Sequence, residues 1–192
     1  LDIVPRDVEK DGDRDRLAKT AIEKMLKTNP APFMHKKNAR LLRPGNTDDH
    51  LSRLADCDLI IEAVPENPAI KSATFKKIDA NRKPGSIVAS NTSTIPLQSL
   101  TADQSDQLKK DFMITHFFNP PRYMPLLELV TSADNDPAKV KELRDFMDIK
   151  LGKGVVDCKD TPGFIANRLG TYWIQTGINE AIASGLTVEE AD

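Results

Sequence analysis

Apolar and polar positions along the chain repeat at two different periods. Over residues 11–27, Leu17, Ala21 and Met25 recur at every fourth position, and Ala18, Ile22 and Leu26 form a second row beside them. One apolar stripe at this spacing predicts an amphipathic helix. Asp11, Asp13 and Asp15 at its start and Lys24 and Lys27 at its end suit the helix dipole, and Asn29-Pro30-Ala31-Pro32 stops it. Residues 58–64 behave differently. Their continuous apolar centre, rich in β-branched side chains, predicts a strand buried on both faces in a parallel sheet.

The two patterns then alternate. Residues 68–81 predict a helix with Ile70, Phe75 and Ile78 facing inward, and Pro84-Gly85 a turn. Residues 86–90 predict a short buried strand and residues 94–108 short helical pieces, with Pro96 in a first turn. A strand over 112–117 follows. After it come a stiff Pro120-Pro121 turn and a second strand carrying Glu128. Residues 136–149 predict a helix with Val140, Leu143, Phe146 and Met147 on one face, and residues 154–158 a final short strand. Between the first helix and residue 58, residues 39–46 predict a short strand ending at Pro44-Gly45. Thr47-Asp48-Asp49 then caps a short helix through Leu54. Asp160-Thr161-Pro162-Gly163-Phe164 opens a last, longer and more apolar helix through Ile165, Leu169, Trp173, Ile174, Ile178 and Ile182. That helix has more apolar surface than packing against one sheet requires, so a helical domain or a dimer is expected to cover it.

Alternating strands and helices predict an α/β fold with a mostly parallel, Rossmann-like sheet and flanking helices, followed by the first long helix of an all-α domain. The expected division is 1–159 for the sheet domain and 160–192 for the start of the helical one. The opening Leu1-Asp2-Ile3-Val4-Pro5 reads as the end of a buried strand with nothing before it, so a fragment of a longer protein is expected.

Composition narrows the function classes. The 192 residues carry 29% charged side chains and a net charge of −2, which gives no electrostatic footprint for nucleic acid or an anionic membrane. No apolar run approaches the length of a membrane span. Cys57 and Cys158 lie far apart without metal-ligand spacing, which favours a reduced, cytoplasmic protein and no metal site. His35, in the basic run His35-Lys36-Lys37, is a weak ligand candidate, since such runs are usually solvated.

In parallel sheets ligands bind beyond the carboxyl ends of the strands. Three polar clusters fall there: Glu66 and Asn67, then Asn91-Thr92-Ser93, then His116 to Asn119. Caps and turns account for many such clusters. If the strands on either side of Pro120-Pro121 fold back on each other, His116 and Glu128 can meet. A carboxylate beside an imidazole orients the ring and suits a general base near neutral pH. Taken alone, such a pair is more often a structural histidine and a salt-bridged surface glutamate than a catalytic pair. Asp2 sits at an apparent strand tip. An acidic residue there holds ribose hydroxyls in dinucleotide-binding folds, about 20 residues after a glycine fingerprint. No G-x-G-x-x-G occurs in the chain.

Four blocks together resemble the L-3-hydroxyacyl-CoA dehydrogenase family over essentially the whole length. They are Glu62-Ala63-Val64-Pro65-Glu66-Asn67 with Lys71; Ser90-Asn91-Thr92-Ser93; His116-Phe117-Phe118-Asn119-Pro120-Pro121 with Glu128; and residues 159–168, KDTPGFIANR. The resemblance implies roles position by position. His116 would be the general base taking the 3-hydroxyl proton, with Glu128 its carboxylate partner. Ser93 and Asn167 would hydrogen-bond the reacting oxygen. Asn119 and Asn91 would line the cofactor beside the base, Glu66 and Lys71 would contact the nicotinamide-side ribose and the cofactor or CoA, and Asp2 would take the adenine ribose. The implied cofactor is NAD rather than NADP, because a carboxylate repels a 2′-phosphate. The implied substrate is an acyl-CoA thioester of fatty-acid β-oxidation. The parent would be a homodimer or part of a multifunctional β-oxidation enzyme. Without the glycine fingerprint and a complete helical domain, this chain alone is expected to bind NAD weakly and turn over poorly.

Two rival readings remain open. Asn119-Pro120-Pro121 and Pro125-Leu126-Leu127-Glu128 are also similar to dehydrogenases of L-gulonate or carnitine, whereas His116-Phe117-Phe118 and residues 158–164 favour the acyl-CoA branch. A non-catalytic module of a multifunctional protein would keep the fold without the chemistry.

Overall fold

A computed structural model describes residues 1–8 and 12–191 of the chain. Five strands form one sheet in the order β1-β2-β3-β4-β5. They are β1 (Leu59–Glu62), β2 (Ile87–Ser90), β3 (Phe112–Phe117), β4 (Leu126–Val130) and β5 (Gly154–Cys158). The β1/β2, β2/β3 and β4/β5 pairs are parallel and β3/β4 is antiparallel. The sheet is therefore mostly parallel, as the alternating pattern predicts. The one antiparallel pair is the hairpin closed by the short connection through Pro120-Pro121, which is too short for the crossover that a parallel pair needs.

The helices are α1 (Arg16–Met25), α2 (Pro68–Asn81), α3 (Leu97–Thr101), α4 (Asp106–Asp111), α5 (Pro137–Asp145), α6 (Ala166–Ala183) and α7 (Val188–Ala191). α2 begins where expected because Asn67 caps it, accepting from the Ala69 and Ile70 amides, with Pro68 in the first turn. Ser105 caps α4 and Asp136 caps α5 in the same way. α5 continues into a π-helical turn, Phe146–Lys150.

Side-chain alternation along β3 divides the core. Phe112 and Ile114 point to one face and join Phe75 and Ile78 of α2, Val88, Val130 and Phe164. Met113 points to the other and joins Leu127, Leu129, Leu143 and Met147 under α5. Phe75 and Phe112 meet edge to face at 4.9 Å. Each such fully buried side chain contributes about 1.5–3 kcal/mol. Beside this core Arg82 reaches the buried Asp111 at 2.7 Å, and Lys139 pairs with the same carboxylate.

Several expectations are corrected. Asp11, placed at the start of the first helix, lies outside the described residues, and α1 starts only at Arg16. Its acidic start is used differently: Asp13 pairs with Lys19 and Asp15 accepts from Asn46 Nδ2. Residues 39–46 do not form a strand. A 3-10 helix, Lys36–Leu41, takes part of them, and only Asn46 bridges to Asp2. Thr47-Asp48-Asp49 caps nothing. Asn46 Oδ1 accepts from the Asp48 and Asp49 amides, an Asx turn, and the helix that follows is a 3-10 turn, Leu51–Asp56. Ile61 of β1 is 43% exposed, Ile70 46% and Phe146 42%, so these three face outward. The chain from Thr161 to Ile165 forms turns, and the last helix begins at Ala166.

No residue of α6 is buried, and Leu169, Tyr172, Trp173 and Ile182 stand exposed along it. Among the described residues no helix is long and apolar enough to cross a membrane.

Candidate active site

The carboxyl ends of β1, β2 and β3 lie along one edge of the sheet and bring the three polar clusters together. β3 and β4 are in a register that sets His116 directly opposite Glu128. Directly opposed residues of an antiparallel pair project on the same face. Both side chains are nearly buried, and His116 Nδ1 lies 2.7 Å from Glu128 Oε2. The other carboxylate oxygen, Oε1, accepts from the amides of Ile165 at 3.0 Å and Ala166 at 2.8 Å. Those two N–H groups sit at the start of α6, where no preceding turn can use them. Burial pushes the Glu128 carboxyl up, but His116 and the two amides more than offset this and leave it below its ordinary value. The carboxylate is therefore ionised near neutral pH and can only accept. Nδ1 must carry the proton, and Nε2 is left as the basic nitrogen.

Aromatic rings surround the imidazole. Phe118 lies 4.5 Å and Phe164 5.9 Å from it, centroid to centroid. Cys158 of β5 is buried nearby. Desolvation and the charge of Glu128 push its thiol up to about 11, so it is an inert packing group.

A second network occupies the ends of β1 and β2. Lys71 of α2 is buried, and its Nζ bonds both Glu62 oxygens, at 2.9 and 3.0 Å, and lies 3.2 Å from Glu66. Glu62 also accepts from Ser90 Oγ and from the Val64 amide. Glu66, with its side chain 38% exposed, accepts from Thr92 Oγ1, Thr94 Oγ1 and the Ser93 amide. Desolvation raises its carboxyl, and Thr92, Lys71 and Ser93 lower it further than that. Asn91 Oδ1 accepts from the Phe117 amide at 3.1 Å and ties the end of β2 to the end of β3, next to His116. Asn167 Nδ2 donates to the Ser93 carbonyl at 3.0 Å.

The expected residues thus divide. His116, Glu128, Ser93, Asn167, Asn91, Glu66 and Lys71 are linked by hydrogen bonds or strand pairing. Asn119 is exposed just beyond Phe118. Asp2 stands apart, half buried, and its carboxylate accepts from the Ile3 amide. His35 is exposed and caps a 3-10 turn through Lys37 N. The sequence places Thr92 in a strand-end cluster and Glu62 in a family block but assigns neither a role, and the Ile165 and Ala166 amides go unassigned as well. Glu62 alone leaves a signal, a carboxylate inside an otherwise apolar strand, which requires a buried partner. Backbone amides carry none.

Residues 3–161 match the family described as 3-hydroxyacyl-CoA dehydrogenase, NAD binding domain. A Bacillus subtilis protein called a probable 3-hydroxyacyl-CoA dehydrogenase is 43% identical, over 100% of this chain and 26% of its own length. A Rickettsia felis protein called a putative fatty acid oxidation complex trifunctional enzyme is 40% identical, over 97% of this chain and 25% of its own. The crystal structure of (S)-3-hydroxybutyryl-CoA dehydrogenase from Ralstonia eutropha superposes with a TM-score of 0.72 at 26% identity, covering 97% of this chain and 65% of that one. The chain thus spans only part of the length of each of these relatives. The match over residues 3–161, on a mostly parallel sheet with its polar residues at the strand ends, shows that the chain belongs to the family of the 3-hydroxyacyl-CoA dehydrogenase NAD-binding domain.

Proposed function

We propose that the parent protein of this chain oxidises the 3-hydroxyl of L-3-hydroxyacyl-CoA thioesters in fatty-acid β-oxidation, with His116 as general base and Glu128 as its partner. One observation carries the reading. The 2.7 Å contact between Nδ1 and an ionised carboxylate leaves Nε2 of a nearly buried histidine as the basic atom. In oxidation Nε2 accepts the substrate hydroxyl proton, and Glu128 stabilises the imidazolium that forms. In the reverse direction the same nitrogen returns the proton. The Ser93 hydroxyl and the Asn167 carboxamide are assigned to the reacting oxygen, where fixed donors stabilise developing charge.

The donor set at the strand ends fits a dinucleotide in part. Glu66 and Asn119 offer groups suited to ribose hydroxyls on the nicotinamide side, and Asp2 offers a carboxylate for the adenine ribose. Lys71 is assigned a supporting part, since its ammonium is buried on Glu62 and steadies Glu66. Asn91 likewise holds the two strand ends together beside the cofactor. Bound NAD supplies the hydride acceptor; the residues of this chain hold the substrate, the proton and the orientation.

The trifunctional relatives support a multifunctional parent, with a homodimer as the other form. We place it in the cytoplasm, where its two free cysteines would remain reduced. The test is NAD-dependent oxidation of 3-hydroxybutyryl-CoA by the parent and its His116→Gln variant. The variant should lose about 100- to 10,000-fold in turnover and keep its NAD affinity. Unchanged turnover would remove the base assignment, and equal or faster oxidation of free L-gulonate or carnitine would move the substrate class.

A further inference from the structure

The turn that delivers α6 to the sheet has an unusual backbone. Gly163 has φ 72° and Phe164 φ 46°, and Phe164 is the one non-glycine residue with positive φ among the described residues. A side chain in this region is strained, and such strain persists only where the surroundings hold it. Here they do. The Phe164 amide donates to the Thr161 carbonyl at 2.9 Å, which closes the turn. Its ring is 1% exposed, packed with Phe112, Ile114, Val130 and Cys158, and 5.9 Å from the His116 ring. The next two amides, Ile165 and Ala166, are the ones that reach Glu128 Oε1.

We propose that Phe164 is a positioning residue for the His116–Glu128 pair: its buried ring and left-handed backbone aim the first amides of α6 at Glu128, so that the geometry of this helix sets how strongly the carboxylate holds the imidazole. Glu128 shares one negative charge between two sets of donors. Amides on Oε1 draw charge from the carboxylate and weaken its hold on a proton at the imidazole. The start of the helix adds positive potential beside the pair. Both effects loosen the hold of Glu128 on the Nδ1 hydrogen bond. The groups around the imidazole allow a clean comparison. Glu128 faces it from β4 and the inert thiol of Cys158 lies behind that carboxylate. Phe118 and Phe164 flank the ring, and Arg168 of α6 is exposed and lies 3.4 Å from Thr161 Oγ1. The proposal rests on the reading of His116 as a base, but its physical core is measurable without substrate.

The experiment follows the His116 imidazole by NMR titration in this chain, for the wild type and for Phe164→Gly, Phe164→Leu and Gly163→Ala. Phe164→Gly frees the backbone and removes the ring. Phe164→Leu keeps a buried apolar side chain in the same turn. Gly163→Ala retains the ring but puts a Cβ at φ 72°, 3.4 Å from Arg168 Cγ and Asn167 Cβ. The midpoint should rise by about half a pH unit or more in Phe164→Gly and in Gly163→Ala, and stay near wild type in Phe164→Leu. An unmoved midpoint in the folded Phe164→Gly and Gly163→Ala chains overturns the proposal. If Phe164→Gly does not fold, Gly163→Ala against Phe164→Leu decides it alone. In the parent enzyme the acid limb of the rate profile should move the same way, with kcat falling about tenfold and KM nearly constant. A shifted NMR midpoint in a parent that oxidises no hydroxyacyl-CoA would leave this coupling standing and remove the proposed function instead.

Discussion

Glu128 joins two parts of the chain that lie far apart in sequence: one oxygen is 2.7 Å from His116 Nδ1, and the other accepts from Ile165 and Ala166 at the start of α6. Glu128→Gln keeps the shape and an acceptor but removes the charge. We expect hydride transfer in the parent to fall about 100-fold, because the imidazolium loses its counter-charge, while stability falls by only about 1 kcal/mol. Stopped-flow rates and urea unfolding on the same variant measure both. A variant with full activity would show that the carboxylate is structural.

Lys71 and Glu62 form a buried pair with little exposure on either side. Removing one partner leaves an uncompensated charge. Lys71→Met should destabilise the chain by about 3–5 kcal/mol in urea unfolding. Adding Glu62→Gln should recover much of this loss. If both variants unfold at the wild-type midpoint, the network does not hold the strand ends.

Arg82 and Lys139 converge on Asp111, which is 1% exposed. Desolvation raises the Asp111 carboxyl, but Gln107, Lys139 and Arg82 hold it below its ordinary value. Glu128 and Glu66 are depressed in the same sense. A carboxyl depressed in the folded state adds stability above its unfolded value, and this is lost as pH falls through the folded value. With ordinary values of 3.8 for Asp and 4.5 for Glu, stability should be level from neutral pH down to that range and then decline. The urea midpoint followed from pH 7 to pH 3 tests this, and Glu128→Gln should flatten the decline. A level midpoint throughout would contradict it.

Phe112 sits at 0% exposure against Phe75. Phe112→Ala should lower stability by about 3–5 kcal/mol through lost burial and a cavity. A loss below about 1 kcal/mol would mean that the core collapses around the gap.

Local patterns in the sequence were enough wherever one signal determined an element. α2 runs over the expected residues because an Asn-Pro start and the Pro-Gly turn after it bracket the helix. β3 and β5 also have the expected bounds, each a short run rich in apolar and β-branched residues. The facing of single side chains was less legible. Ile70 and Phe146 fit an apolar stripe, yet they point to solvent because no neighbouring element covers that part of their helices. Residues 39–46 read as a strand from composition, but a strand needs a partner at 4.8 Å, and only Asn46 meets one.

The site shows the same division. The sequence by itself determined which residue types were available: a histidine and a glutamate about a rigid turn, and polar clusters at the strand ends. It also determined the alternation of elements that makes a mostly parallel sheet. Tertiary structure decided the register that sets His116 opposite Glu128. It also enclosed Lys71 on Glu62 and turned the start of α6 onto a carboxylate 37 residues back in the chain. The physical reason is that hydrophobic periodicity is a local property, whereas hydrogen bonds from backbone amides and pairing of buried charges depend on which distant segments packing brings within 3 Å.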